Sequence, residues 1–162
     1  MENQKNQKKI YNQKTWENSP SKEELQNYFG FVYMVERLNA KEGEKRYYWG
    51  KKQFFSKTKR PPLKGKKRKR VVVVDNDWEY YYGSSEELKT DLEKYGEENF
   101  RKVILKLCTC KWQLAYEELK VQMDNNVIFR TDTYNSILNV RIGRPPKHLK
   151  ESYEISTNFI DR

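Results

Sequence analysis

Two tyrosines in strand-like segments are the first residues in this sequence whose types and spacing suggest chemistry. Tyr33 lies in the apolar segment Val32-Tyr33-Met34, and Tyr48 lies in the aromatic segment Tyr48-Trp49-Gly50. A hairpin of two such strands would bring both phenols to one face of a sheet. Positive charge nearby favours the phenolate, which can orient or deprotonate a water. A pair of packed aromatic side chains is the alternative, which strand propensity alone favours.

A carboxylate on a predicted helix is the second candidate. Residues 111–124 have an apolar stripe at helical spacing, which includes Ala115 and Leu119. At about 100° per residue, Glu118 lies beside Leu119 at the edge of the stripe, whereas Glu117 faces solvent. Glu118 is therefore the carboxylate that can point along a sheet surface, although a surface charge remains the alternative.

Several kinds of site are excluded by what the chain lacks. It has neither a Gly-rich phosphate loop nor a Gly-x-Ser-x-Gly motif, and His148 is its single histidine. Cys108 and Cys110 with one histidine cannot complete a four-ligand zinc site, so we expect reduced cysteines without a disulfide partner. Apolar runs are far shorter than the roughly 20 residues of a membrane helix, and no secretory signal is present. These features predict a cytoplasmic protein that does not contact a membrane.

Positive charge is concentrated in one stretch, residues 57–70, which we call the basic segment. The net charge is +10, and the basic segment holds nine cations and no acid, so about +1 remains for the rest. The nine cations are Lys57, Lys59, Arg60, Lys64, Lys66, Lys67, Arg68, Lys69 and Arg70. Such a cluster binds phosphates by releasing counterions, which indicates a nucleic-acid partner. A solvated charge run or a localisation signal is the alternative.

The elements that must position these residues form an α+β pattern. Strands are predicted at 31–38, 46–50 and 101–108, with a hairpin joining the first two. Helices are predicted at 111–124 and after the cap Ser84-Ser85-Glu86-Glu87, ending at Gly96. Val71 to Val74 are predicted to pair with residues 78–82 in a second small hairpin. We therefore expect a small three-stranded, mainly antiparallel sheet flanked by helices, with a basic loop or hairpin insertion.

Three regions follow from this reading. Residues 1–20 are predicted to be a disordered polar arm, because they are rich in Gln, Asn and Lys. Residues 21–142 form the folded domain, with the basic insertion at 56–82, and residues 143–162 form a polar tail.

In this order, the segments resemble the GIY-YIG nucleases, and among them the phage-encoded, homing-type endonucleases. The two signature tripeptides resemble Val32-Tyr33-Met34 and Tyr48-Trp49-Gly50, although Met34 and Trp49 depart from the family pattern. Ala115-Tyr116-Glu117-Glu118 resembles the helix with the family's metal-binding glutamate, and Tyr134-Asn135 resembles its C-terminal Tyr-Asn. The resemblance covers about residues 30–140.

The resemblance implies metal-dependent hydrolysis of a DNA phosphodiester bond. It implies that Glu118 holds one divalent ion, Mg²⁺ or another such as Mn²⁺, and that Tyr33 and Tyr48 position water and phosphate. Asn135 would bind phosphate or hold Glu118. The family's arginine has no clear counterpart, so its role is assigned first to Arg60 and second to Lys52, with Arg68 and Arg70 as further candidates. All cations of the basic segment except Arg60, including Arg68 and Arg70, would contact DNA.

Two non-enzymatic readings remain open. The same fold with its basic segment and interleaved aromatic residues would serve a DNA- or RNA-binding module that does not cut. A basic protein that coats nucleic acid in a particle would also have this charge, but its tyrosines and Glu118 would lie scattered. The distinction rests on whether Tyr33, Tyr48 and Glu118 come together in the fold.

Overall fold

A three-stranded antiparallel sheet carries the fold in the computed structural model, which describes residues 16–138 and 141–153. Its strands are β1 (Gly30–Arg37), β2 (Tyr47–Gln53) and β5 (Phe100–Cys108), in the order β2-β1-β5. The predicted α+β class and the antiparallel three-stranded sheet are confirmed. β2 is an edge strand, so its outer backbone groups are open to partners from elsewhere in the chain.

Helices cover both faces of this sheet. Helix α2 (Glu86–Tyr95) inserts Leu88 into the core on the face that carries Tyr33. Helix α3 (Lys111–Asp124) packs Leu114 against Val32 and Cys108, which lie on the other face. Side chains alternate along a strand, so neighbouring residues such as Val32 and Tyr33 point to different helices. The helices α1 (Lys22–Leu25) and α4 (Lys147–Lys150) have four residues each, and Leu25 of α1 packs against the same core cluster as Leu88.

A two-stranded ribbon leaves the sheet at the end of β2. Its strands, β3 (Phe55–Arg60) and β4 (Arg70–Asp75), pair antiparallel with each other and form a separate sheet. The prediction that Val71 to Val74 pair with residues 78–82 is therefore wrong. Residues 78–80 form a short 3-10 turn instead. The cause is a long-range contact, because Trp78 packs on the buried ring of Phe54 at 5.0 Å rather than extending as a strand.

The chain is ordered closer to its N-terminus than the sequence suggests. Trp16 is 3% exposed and packs edge-on against Phe31 and Tyr33, with ring centroids 5.0 Å apart in each pair. Its indole nitrogen donates a hydrogen bond of 2.9 Å to the carbonyl of Trp78. The predicted disordered arm of residues 1–20 thus overlaps core residues from Trp16 onward, while 1–15 lie outside the described residues. Burial of the large aromatic ring of Trp16 stabilises the fold enough to order this stretch, although the residues next to it in sequence are polar.

The predicted polar tail begins with residues that fold back onto α3. The carbonyl of Gly143 accepts a 2.8 Å hydrogen bond from the indole of Trp112. The ring of Tyr153 lies edge-on against Trp112 and Tyr116, at 5.4 and 4.9 Å between centroids. These contacts extend the folded region to Tyr153, and residues 154–162 lie outside the described residues.

Candidate active site

The phenols of Tyr33 and Tyr48 lean together over a glycine of the edge strand. Tyr33 is opposite Gly50 in the register of β1 and β2, and Tyr48 lies two residues before Gly50 on the same face. The two ring centroids are 6.1 Å apart. A methyl group on Gly50 would lie 2.7 Å from the hydroxyl oxygen of Tyr33 and 2.9 Å from the ring of Tyr48. The missing side chain at Gly50 is therefore what lets the two phenols meet.

Tyr48 also contacts the start of α2. Its hydroxyl lies 3.1 Å from the hydroxyl of Ser84. Gly83, with a φ of +145°, lies so close that an added methyl group would be 2.6 Å from the Tyr48 ring. A cleft of about 390 Å³ opens beside this contact and is lined by Tyr48, Ser84, Ser85, Glu86, Glu87, Tyr134, Asn135, Ser136 and Ile137. Tyr48 and Asn135 are the predicted site residues that line it.

Glu118 points toward the edge strand rather than into solvent. Its side chain is 15% exposed, and a carboxylate oxygen lies 2.7 Å from the ammonium of Lys51. Glu117 turns the other way, where its carboxylate accepts a hydrogen bond from the hydroxyl of Tyr153. The direction of Glu118 thus agrees with the helical argument, but Glu117, expected to face solvent, is half-buried beside Tyr153. The buried residues of α3 are Leu114 and Gln122 rather than Ala115 and Leu119.

The pKa shifts of Tyr33 and Tyr81 are caused mainly by burial, with smaller contributions from neighbouring phenols and carboxylates. Burial is the largest cause that raises the pKa of Tyr33 well above its usual range, followed by Tyr48, Tyr81 and the charge of Glu118. Burial also raises the pKa of Tyr81, with further contributions from Tyr48, Asp77 and Glu118. Tyr33 and Tyr81 are therefore protonated at neutral pH and can donate hydrogen bonds. A cation placed beside either hydroxyl would lower its pKa.

Asn135 holds the edge strand through its backbone. Its side-chain oxygen accepts from the amide of Trp49 at 2.8 Å, and its side-chain nitrogen donates to the carbonyl of Trp49 at 2.7 Å. The amide thus bonds as a neighbouring strand would, next to Gly50. Both of its polar atoms already have protein partners, so the geometry favours a positioning role over direct binding of phosphate.

The cations predicted for the site fall into two groups. Lys52 lies beside the phenols, with its ammonium 4.0 Å from the ring centroid of Tyr81 and 2.8 Å from a carboxylate oxygen of Asp77. Arg60 is the first choice from the sequence. It is instead the backbone partner of Arg70 in the β3–β4 register, at the far end of the ribbon. It lies five residues beyond Phe55, or about 17 Å along an extended strand. The structure brings Lys52 to the phenols and leaves Arg60, Arg68 and Arg70 on the ribbon.

Two residues of the site were not anticipated from the sequence. Lys51 pairs with Glu118, and the ring of Tyr81 lies 6.3 Å from that of Tyr33. Lys51 carried a usable signal, because strand alternation after Trp49 points it to the same face as α3. Tyr81 carried none, since it lies in an irregular segment whose path is set by the packing of Trp78.

The basic segment lies entirely on the surface. The nine cations from Lys57 to Arg70, together with the intervening residues, are all exposed. β3 and β4 hold part of the basic segment, and residues 61–69 form the loop at its tip. The predicted DNA-contacting cations Lys57, Lys59, Lys64, Lys66, Lys67, Arg68, Lys69 and Arg70 therefore all project from the ribbon.

A divalent ion fits this site only when a substrate phosphate supplies some of its ligands. Across the described ranges 16–138 and 141–153, no three His, Cys, Asp or Glu side chains converge as a metal-binding group. Mg²⁺ is nevertheless commonly bound through one or two carboxylates together with waters and substrate phosphates. Glu118 can supply one such carboxylate once Lys51 moves aside, so the donor chemistry fits an ion held jointly by Glu118 and a phosphate.

No helix within the described residues is long and apolar enough to cross a membrane. Cys108 is buried and Cys110 half-buried, and both are free thiols. Burial raises the pKa of the Cys108 thiol to about 12, which makes it a poor nucleophile.

Comparison with known proteins identifies the fold. The family model described as "Putative endonuclease segE, GIY-YIG domain" matches residues 8–142. Among curated proteins and among solved structures, none matches the chain. The match spans both tyrosine tripeptides, the ribbon, Glu118 and the Tyr134-Asn135 pair. The family is one of hydrolases that act on DNA and generally use a divalent metal. The chain therefore belongs to the phage segE family of GIY-YIG endonucleases.

Proposed function

We propose that this protein cuts DNA by metal-dependent hydrolysis of a phosphodiester bond at the site around Gly50. The observation that carries the proposal is the direction of Glu118, whose carboxylate lies 2.7 Å from the ammonium of Lys51 on the edge strand, while its charge is a smaller cause of the raised pKa of Tyr33 and Tyr81. Lys51 directly follows Gly50, over which the phenols of Tyr33 and Tyr48 meet, so this contact supports a site shared by α3 and the edge strand. Lys51 and Lys52 supply positive charge from β2, the strand that also carries Tyr48.

Each residue has a distinct role in this proposal. Glu118 would hold the divalent ion, which when bound polarises the scissile phosphate and stabilises the leaving oxygen. Tyr48, at the cleft, would orient the attacking water or accept its proton, and Tyr33 would hold Tyr48 in place through contact of their hydroxyls. Lys52 would offset the charge that grows on the phosphoryl oxygens, a contribution whose loss costs roughly a hundredfold or more in rate.

The nuclease proposal is tested by nicking of supercoiled plasmid with wild type, Glu118→Gln and Glu117→Gln. Glutamine keeps the size of the side chain and removes the charge that would hold the ion. We expect nicking that requires Mg²⁺ or Mn²⁺, abolished in Glu118→Gln and retained in Glu117→Gln. DNA binding in EDTA should be the same for all three proteins. Equal nicking by wild type and Glu118→Gln would refute the proposed role of Glu118.

A DNA-binding module without cleavage is the second candidate function. It is favoured by the Lys51 ammonium, which already neutralises the carboxylate that would hold the ion. The departures at Met34 and Trp49 from the family tripeptides point the same way. This reading predicts that wild type binds DNA but leaves plasmid intact with either metal, so the same assay separates the two candidates.

A further inference from the structure

The ribbon has one face that is basic along one strand and apolar along the other. Cross-strand partners in an antiparallel pair project to the same side. In the register of β3 and β4, Lys57 is opposite Val73 and Lys59 is opposite Val71. Val71 and Val73 are each 59% exposed. Two lysines along β3 therefore lie beside two solvent-exposed valines along β4.

The opposite face of the ribbon is different. Val72 and Val74, which alternate with the exposed valines, are half-buried. Strand propensity accounts for valine at all four positions, but it does not account for exposure of one pair. An apolar surface next to a row of cations is costly to leave in water, and it is typical of a contact with another macromolecule.

The ribbon is fixed at its root. The side-chain nitrogen of Asn76 donates to the carbonyl of Gln53 at 2.9 Å and to the hydroxyl of Ser56 at 3.2 Å. Phe54, which is fully buried, ties the start of β3 to Phe31 and Trp78. These contacts fix the orientation of the ribbon relative to Lys52 and the phenols. A molecule bound to the ribbon therefore approaches the candidate active site from a fixed direction.

Charge and dimensions select the partner. No acid lies between Lys57 and Arg70, so the partner must be strongly negative. Paired strands lie about 4.8 Å apart, and a two-stranded ribbon fits the major groove of duplex DNA, which is about 12 Å wide. In that groove the wall is phosphate, which suits lysine, and the floor exposes the methyl group of thymine, which suits apolar side chains.

We propose that the ribbon lies in the major groove of duplex DNA, with Lys57 and Lys59 on phosphates and Val71 and Val73 against thymine methyl groups. The inference rests on the proposed function only in taking DNA as the partner. It adds a preference for thymine at the bases under β4. That preference is separate from hydrolysis, since the ribbon face contains none of the residues around Gly50.

The test is equilibrium binding of wild-type protein to two duplexes of identical sequence, one with thymine and one with uracil throughout. Fluorescence anisotropy in EDTA, at about 0.1 M salt, measures binding without cleavage and with phosphate contacts only partly screened. Loss of a buried methyl contact costs roughly fourfold, so we expect binding to the uracil duplex to be weaker by on the order of tenfold. Equal affinity for the two duplexes would overturn the proposal.

Matched variants locate the preference on one face of the ribbon. The double variant Val71→Ser/Val73→Ser should bind both duplexes alike, at the wild-type level for uracil. Val72→Ser makes the same change on the opposite face and should keep the thymine preference. Circular dichroism of each variant checks that the sheet is intact, and the wild-type comparison needs no variant at all.

The outcomes separate this inference from the nuclease proposal. Thymine-dependent binding without any nicking would support the ribbon contact and contradict the hydrolysis. Nicking with equal affinity for thymine and uracil duplexes would do the reverse. A thymine preference that persists in Val71→Ser/Val73→Ser would place the base contact elsewhere and overturn the assignment to β4.

Discussion

The ammonium of Lys51 lies 2.7 Å from a carboxylate oxygen of Glu118 and joins the edge strand to α3. The side chains are 33% and 15% exposed, so water screens the pair only in part. An ion pair of this kind contributes up to about 1 kcal/mol. Its larger consequence concerns the site, because the cation occupies the carboxylate that the proposed metal ion needs.

Replacing Lys51 should therefore strengthen metal binding in the free protein. With Lys51→Met, the carboxylate of Glu118 has no competing cation, and we expect the dissociation constant for Mn²⁺ to fall about fivefold, the equivalent of about 1 kcal/mol. Titration calorimetry measures this directly. Lys45→Met, which removes an ammonium paired with the exposed Glu87 away from α3, is the control. Unchanged or weaker Mn²⁺ binding in Lys51→Met would contradict the competition.

A methyl group at Gly50 should disturb both the fold and the site. In Gly50→Ala the new atom lies 2.7 Å from the Tyr33 hydroxyl and 2.9 Å from the Tyr48 ring, so both phenols must shift. Overpacking of this kind costs about 1–3 kcal/mol, which urea denaturation measures. We also expect nicking to fall with the stability. Gly143→Ala, where an added methyl group meets nothing within 4 Å, should change neither quantity.

The hydroxyl of Tyr81 should matter for rate rather than for affinity. Tyr81→Phe keeps the ring that packs against Tyr33 and carries the Lys52 ammonium, and it removes only the hydroxyl. If that hydroxyl positions water or phosphate, nicking should slow by roughly tenfold to hundredfold while DNA binding stays unchanged. Tyr80→Phe is the neighbouring control, because Tyr80 is 53% exposed. Equal rates for Tyr81→Phe and wild type would remove Tyr81 from the site.

Stability should rise with pH just above neutrality because of one buried lysine. Lys102 is 4% exposed, and its ammonium donates to the carbonyl of Glu79 at 2.8 Å. Burial lowers the pKa of Lys102 from 10.5 to about 8, although Glu97 and Glu79 partly oppose this shift. Above pH 8 the folded protein has released this proton while the unfolded chain retains it. The unfolded state then binds more protons, so the free energy of unfolding increases with pH.

Lys102→Met tests this linkage. The variant lacks this titration. For each pH unit above pH 8, we therefore expect the free energy of unfolding of wild type to rise by up to roughly 1 kcal/mol relative to that of Lys102→Met. The comparison belongs between pH 8 and 9. Above pH 9 the thiol of Cys108, whose pKa burial raises to about 12, lowers the free energy of unfolding of both proteins alike, so the rise in wild type alone is clearest below pH 9. Parallel stability curves for the two proteins across this interval would show that Lys102 keeps its proton in the fold.

Much of the sheet and one side of the site could be predicted from local pattern. Alternation of apolar residues placed Tyr33 within β1, and helical spacing distinguished Glu118 from Glu117. The family resemblance associates Tyr33, Tyr48 and Glu118 in one site, which neither local pattern does by itself. These features depend on residues close together in the chain, where backbone geometry repeats at a fixed interval.

Only the tertiary structure decided which cations and which third phenol lie near Tyr33, Tyr48 and Glu118. Arg60 was the expected cation, but pairing of β3 with β4 carries it away, whereas Lys51 lies 2.7 Å from Glu118 and Lys52 lies 4.0 Å from the ring of Tyr81. Trp16 and Trp78 are 62 residues apart, yet their hydrogen bond helps to set the path that brings Tyr81 to the site. Contacts at such separations depend on the complementary shapes of distant surfaces, which no local period of the sequence encodes.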